Sequence, residues 1–506
     1  MQLTKTSDET KDRFHICQIV ARFRSTEWAA VTLRSAITLA LLGVLLLIAA
    51  HPAQAETEAV LYSFNSNPDG ANPESRLTLN GGNLYGTTHA GGLGSGTVFE
   101  LSPNGSGGWT ETVLYNFCPA MNCADGANPT YSYVTFDSAG NLYGTAYAGG
   151  ANGYGVVFEL SPGQSGWTEQ VLYSFANSPD GANPVNGLVM DAAGNLYGTT
   201  YGGGAGGNGA VFELSPSAGR WTEQVIYDIN STHAGLAIDG SGNLYGVNLQ
   251  AVFELSPNGS GGWKPTLIHK FAKPSFNPNG TPVLDSAGNL YGTTYAGGTG
   301  GDGTVYKLSP NGKGQWTMQV VYTFATATSH PLAGVAVDSN GNLYGTTTAG
   351  GLRGLGVIYE LSPNGSGGYK YRVLQAFNGE NGNQSYGSLI FSAGYLYGTT
   401  YGGGSNGFGT VFASNPSAAV TTTTLKSSPN PSTFGQLVTF TATVTPAPPD
   451  GEMITFEMIA QAPLVGGVAT FQTSNLPVGK TNVRAIYFGD LNFLPSKSSW
   501  ITQVVK

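Results

Sequence analysis

The feature that most constrains this chain is one that it repeats. Leu-Tyr-Gly occurs seven times, with its Tyr at positions 85, 143, 197, 245, 291, 344 and 397. The intervals are 58, 54, 48, 46, 53 and 53 residues. A period of about 50 residues belongs to repeat architectures, where each unit buries its apolar face against its neighbours.

Each copy reads as four strands. In the third, "NGLVMDAAG" (186–194) is an apolar run closed by a turn, and "NLYGTT" (195–200) is the next strand. "GAVFELSP" (209–216) follows a Gly-rich loop, and "WTEQVIYDI" (221–229) alternates polar and apolar residues as a half-buried strand does. The turns have a mechanism. In D-x-x-G-N an Asp side chain accepts backbone N–H bonds and Gly takes a positive φ, and Asp137, Asp191, Asp239, Asp285 and Asp338 share this slot. "SPNGSGGW" and its relatives supply the other hairpin, with Pro ending the strand. The 75 glycines alternate with Val, Phe, Tyr and Leu, so they read as turns between short strands rather than as disorder.

Four antiparallel strands repeated seven times predict an all-β fold, a seven-bladed β-propeller over 56–416. The ends fit closure: "AVLYSF" (59–64) has fourth-strand sequence, while the last copy stops at its third strand, "GTVFASN" (409–415). Strand 59–64 is expected to complete the unit at about 386–415, which removes exposed edges. An open β-solenoid is the alternative.

The unit G-N-L-Y-G-T-T-x-x-G-G, with G-T-V-F-E-L-S-P, G-G-W-T, V-L-Y-S-F and D-G-A-N-P, resembles the GloVer (Gloeo-Verruco) tandem repeat of exported bacterial proteins over about 58–415. The resemblance implies an extracellular location and no established activity. The fourth copy departs from it, since "NLYGVNLQAVFEL" lacks the Gly-rich loop. The seventh has "AGYLYG" for D-x-x-G-N, and Ala413 for the usual Glu. After a Thr/Ser/Pro-rich stretch, residues 417–506 carry short alternating strands, as in Val438, Phe440, Ala442 and Val444, and predict a β-sandwich. "SSPNPSTFGQLVTFTATV" and "AIYFGDLNFLPSKS" resemble bacterial Ig-like domains, which implies display rather than chemistry.

Arg22, Arg24 and Arg34 precede an apolar run, Ala36 to Ala50, and then Ala53-Gln54-Ala55. This predicts a signal peptide over 1–55 with a long leading extension; an uncleaved anchor is the alternative. The protein is therefore expected to be secreted, at the cell surface or periplasmic, with no membrane span in the mature chain. Cys118 and Cys123, with four residues between them, are expected to form a local disulfide in an exported chain; a metal site is the weaker reading. From residue 56 onward, 15 Lys and Arg face 26 Asp and Glu, a net charge of −11, which argues against nucleic acid or an anionic membrane as partner.

No catalytic constellation, metal-ligand spacing or cofactor motif stands out. Gly-rich loops such as "GGTGGDG" (297–303) occur once per unit, whereas calcium-binding nonapeptides need tandem runs. Glu100, Glu159, Glu213, Glu254 and Glu360 share one strand position, and recurrence favours a structural role. The loop after the Leu-Tyr-Gly strand carries His89, Tyr147, Tyr201, Tyr295 and Tyr401. The D-G-A-N-P loop carries Asp69, Asn72, Asp125, Asn128, Asp180 and Asn183, and the two loops are expected to share one face. Tyr faces beside Asp and Asn hydrogen-bonders suit a sugar; packing between units and plain turn chemistry are the competing reading. The expectation is a monomeric, non-enzymatic binding or adhesion protein for a polysaccharide or cell-surface component. A propeller enzyme (lyase, hydrolase or lactonase) acting at a central channel and a structural spacer are the alternatives.

Overall fold

The computed structural model of the chain describes residues 58–506 except 106–107, 120–121, 272–276, 326–327, 352, 458 and 495. The expected signal peptide lies outside the described residues. Those described hold strands and turns, and no helix long and apolar enough to cross a membrane.

Between Glu58 and Ser414 the described strands form seven four-stranded antiparallel sheets and one two-stranded ribbon, Thr328–Ser329 with Ala349–Gly350. In the third sheet Gly181–Met190, Leu196–Gly203, Ala210–Ser217 and Arg220–Asp228 lie side by side in sequence order. Its first strand begins earlier than the apolar run suggests, because Gly181, Ala182 and Pro184 already pair with Gly203, Gly202 and Thr200. The last hairpin closes through Ala218 and Gly219, both at positive φ (50° and 78°), the geometry that matches strand twist.

The repeated string is accounted for atom by atom. The Leu of every Leu-Tyr-Gly is fully buried. In the five copies that carry D-x-x-G-N the Tyr hydroxyl donates back to the turn Asp, as from Tyr197 to Asp191 at 2.9 Å. The same carboxylate accepts the N–H groups of Ala193 and Asn195 and the Asn195 amide, all at 2.9 Å. The Gly is required for space: a Cβ on Gly198 would lie 2.5 Å from Phe212 Cζ, and one on Gly86 2.7 Å from Phe99 Cζ. The following Thr reaches the neighbouring sheet. Thr145 donates to the Asn186 carbonyl at 2.7 Å, Thr199 to Ala234 at 2.9 Å and Thr293 to Ala333 at 2.8 Å.

The two ends of the repeat region meet. Glu58–Ser63 pairs antiparallel with Thr410–Ser414 as the fourth strand of the last sheet, beside Tyr395–Thr400 and Ile390–Ser392. The strand expected to complete that unit is in place. Thr399 donates to the Ser75 carbonyl of the first sheet at 2.9 Å, the same kind of bond that Thr145, Thr199 and Thr293 make to their neighbouring sheets. Apolar cores lie between successive sheets, and one joins the last to the first through Val411, Leu84, Phe99 and Leu101.

From Thr422 the pairing changes. Thr422–Ser428, Val438–Thr445 and Val468–Thr473 form one sheet, and Met453–Phe456 lies between Ala460–Pro463 and Ala485–Tyr487 in another. Phe440, Phe456, Ile454, Leu464 and Tyr487 belong to a core built wholly from residues 425 to 505.

Candidate functional site

In every four-stranded sheet of the repeat region but the third the first strand has only two or three residues, and the first strands with the segments leading into them line one cavity of about 590 Å³. All seven sheets contribute to its wall. Glycine lets the segments come close: a Cβ on Gly387 would lie 2.5 Å from the Ser75 carbonyl carbon, and one on Gly280 2.7 Å from that of Ala333.

The wall does not repeat. Two residues after Asn72, Asn183, Asn277, His330 and Gln384 stand Glu74, Val185, Asn279, Leu332 and Tyr386. Glu74 is 8% exposed, and its Oε2 has no hydrogen-bond partner among the described residues. Burial pushes its carboxyl up to about 7. Arg76 lays its guanidinium over the Tyr133 ring, 4.2 Å from the centroid, and its buried Nε has no acceptor. Tyr131 holds a positive φ of 54°. Its ring lies 6.2 Å from that of His233 and 6.4 Å from that of Tyr386. Burial raises the Tyr131 pKa, and the charges of Glu74, Tyr386 and Tyr401 add to the rise. Asn186 donates its amide to the His233 carbonyl and accepts from Thr281 Oγ1 at 3.3 Å.

The residues singled out from the sequence divide into two groups. The Asp and Asn set is engaged within the fold. Asp69, Asp125 and Asp180 accept from Tyr62, Tyr115 and Tyr173 at 2.5, 2.9 and 3.0 Å, and each also takes a backbone N–H of its own turn. Asn72, Asn128 and Asn183 donate to the carbonyls of Tyr401, His89 and Tyr147 on the preceding sheet at 2.9, 3.1 and 3.0 Å. The aromatic set does not line the cavity, but Tyr201 and Tyr401 pack on residues that do. Tyr201 packs on His233 at 4.8 Å and Tyr401 on Tyr386 at 5.3 Å, while Tyr295 packs on His330 at 4.7 Å. His89 bonds Thr130 through Nδ1 at 2.9 Å, and burial lowers its pKa. The structure joins Cys118 to Cys123, with Cα atoms 4.2 Å apart.

Sequence reasoning missed Glu74, Arg76, Tyr131, Tyr133, His233 and Tyr386. A signal was present: identical D-G-A-N-P strings are followed by "ESRL", "TYSYV" and "VNGLV". Like scaffold residues running into unlike ones mark the point where the repeat stops being architecture.

The class defined by this fold and cavity is an all-β tandem-repeat protein with a second β domain after the repeats. The chain belongs to the Gloeobacter/Verrucomicrobia repeat family, whose model matches residues 94–252 and 248–447, and residues 423–506 match the bacterial Ig-like domain (group 3). The two matches overlap at 423–447, where strand pairing places the chain with the Ig-like part. Solved structures that match this chain include the extracellular domain of a putative one-component system from B. thetaiotaomicron, at 12% identity and a TM-score of 0.48, covering 88% of this chain and 57% of that one. An ulvan lyase of polysaccharide lyase family PL25, bound to -[GlcA(1-4)Rha3S]-, matches at 12% identity and a TM-score of 0.43, covering 69% of this chain and 95% of that one. An auxiliary nutrient binding protein from Bacteroides ovatus matches at 12% identity and a TM-score of 0.38, covering 57% of this chain and 73% of that one. The chain thus spans just over half the length of the first of these. No curated protein matches it.

Proposed function

We propose that the seven sheets are the blades of one β-propeller, formed by residues 56–416, followed by an Ig-like display module at 417–506. The protein is exported and binds carbohydrate at the cavity where the first strands of the blades converge. Support for the ring comes from the Thr399 bond to Ser75, the apolar core between last and first sheets, and the N-terminal strand that completes the last sheet. The strands of each unit pair with one another, whereas a solenoid pairs them with the next unit.

The observation that carries the binding reading is the unrepeated wall. Seven similar units need no Glu, Arg or Tyr at a position where their equivalents are Val, Gly or Leu. Tyr131, Tyr386 and His233 offer ring faces to the C–H face of a sugar, and Glu74 and Arg76 hold polar atoms that hydroxyl groups satisfy. Tyr201 and Tyr401 extend this surface, and His89, Tyr147 and Tyr295 sit in the equivalent loops. A glycan array probed with the protein is expected to give polysaccharide hits; an array with no hits would count against the reading.

An enzyme at the same cavity is the second reading, because Glu74 and His233 both line it. Glycoside cleavage by a carboxyl pair needs two acids, and Glu74 is the one acidic residue of the wall among the described residues. New reducing or unsaturated chain ends after incubation with a bound polysaccharide would favour catalysis, and an unchanged polysaccharide would favour binding.

A further inference from the structure

Glu74 presents a problem that the fold does not solve. A carboxyl group 8% exposed is ordinarily paired with a cation or saturated with hydrogen bonds. Here one oxygen is buried with no partner, and no ion pair among the described residues includes this side chain. Arg76, two residues on, does not supply the charge, since its guanidinium lies over Tyr133 and burial alone moves the Glu74 carboxyl. Aromatic side chains share the wall with Glu74: Tyr131 and Tyr386 line the same cavity, and Tyr401 packs on Tyr386 at 5.3 Å.

A buried acid with no counter-ion beside electron-rich ring faces is complementary to a compact organic cation. An ammonium group gains a charge-assisted bond from the carboxylate and cation–π attraction from the phenol rings. It also removes the cost of ionising Glu74 in the wall. We infer that Glu74 anchors a protonated amine, so that the saccharide this cavity takes is an amino sugar rather than a neutral or acidic one. This rests on the carbohydrate reading of the same cavity. The Arg76 guanidinium is stacked on the Tyr133 ring, and its unpaired Nε is available to donate to a hydroxyl oxygen of the same ligand. His233 packs against Tyr201 and Tyr131.

The test is a titration of the protein with four probes: a chitosan oligosaccharide with free amines, its N-acetylated counterpart, a cello-oligosaccharide and a polyuronate oligosaccharide. The free amine is expected to bind about ten-fold tighter than the acetylated or neutral forms, a gain in the range of one charge-assisted hydrogen bond. Glu74→Gln is expected to erase that gain, so that amine and acetylated forms bind this variant equally. Tyr386→Leu should reduce it, which keeps the test decisive if the first variant folds poorly. At about pH 5, where the probe's amine is already protonated and the Glu74 carboxyl still holds its proton, binding of the amine should also release a proton from Glu74 to the buffer. Calorimetry in buffers of different ionisation enthalpy reads that proton, and Glu74→Gln should release none. Equal binding of amine and neutral forms, or tighter binding of the polyuronate, would overturn the inference while leaving the carbohydrate reading intact. Failure of all four probes to bind would overturn both.

Discussion

At the scale of single residues, one methyl group distinguishes a sequence that makes this sheet from one that does not. Gly198 does not have the positive φ that usually demands glycine; it is held by Phe212 Cζ at 2.5 Å and Leu188 Cδ2 at 2.8 Å from where a Cβ would sit. Gly198→Ala therefore overpacks a closed core and is expected to cost about 1–3 kcal/mol. The double change Gly198→Ala with Phe212→Leu should recover part of this, because the clashing ring atoms are gone. Urea unfolding of the two variants measures both numbers, and an unchanged midpoint for the single variant would contradict the steric account.

At the scale of elements, what was legible in the sequence follows the distance over which each interaction acts. The D-x-x-G-N turn is readable because all its partners lie within six residues, from Asp191 to Tyr197. The recurrent Glu is readable as structural, and in the structure Glu159 and Glu213 accept from Ser161 and Ser215 two residues on, at 2.9 and 3.0 Å. The Thr bond between sheets is not readable. Its acceptor is a backbone carbonyl, which leaves no mark on residue identity, and for Thr399 it lies 324 residues away. The cavity wall was hidden for a related reason. A repeat alignment displays what recurs, and Glu74, Arg76 and Tyr131 are informative because they do not. Thr399→Val should cost about 1–3 kcal/mol by leaving the Ser75 carbonyl without its donor. The fourth unit already carries Val247 at this position, so the same change elsewhere leaves the sheet itself intact. A calorimetric melt of Thr399→Val that coincides with the parent would show that the link contributes nothing.

At the scale of the whole molecule, two families of carboxyl groups act in opposite directions on stability. Around Asp137, Asp191, Asp239 and Asp285 burial raises the pKa, but the hydrogen bonds of the turn outweigh it and hold each below the ordinary 3.8. These groups stabilise the fold above that value, and the contribution is lost as pH falls through their native values. Glu111, Glu169 and Glu223 are pushed up to about 7, by burial first and then by Asp69, Asp125 and Asp180, and burial does the same to Glu74. The native state then holds protons that the unfolded chain has lost, so stability falls as pH rises from 4.5 to about 7 and levels off above. Urea midpoints across this range should decline toward neutrality, and Glu→Gln at 111, 169 and 223 together should flatten the decline. A midpoint that rises toward neutrality would contradict this assignment.

The cavity is also a property of the whole molecule, since its wall is drawn from all seven sheets and from no single repeat. Saccharide binding by the protein, compared with that of the double variant Tyr131→Ala, Tyr386→Ala, tests the account most directly. The account predicts that the glycan-array hits of the parent disappear in the double variant while its unfolding transition remains cooperative. Hits that persist at parental strength in the folded variant would contradict it.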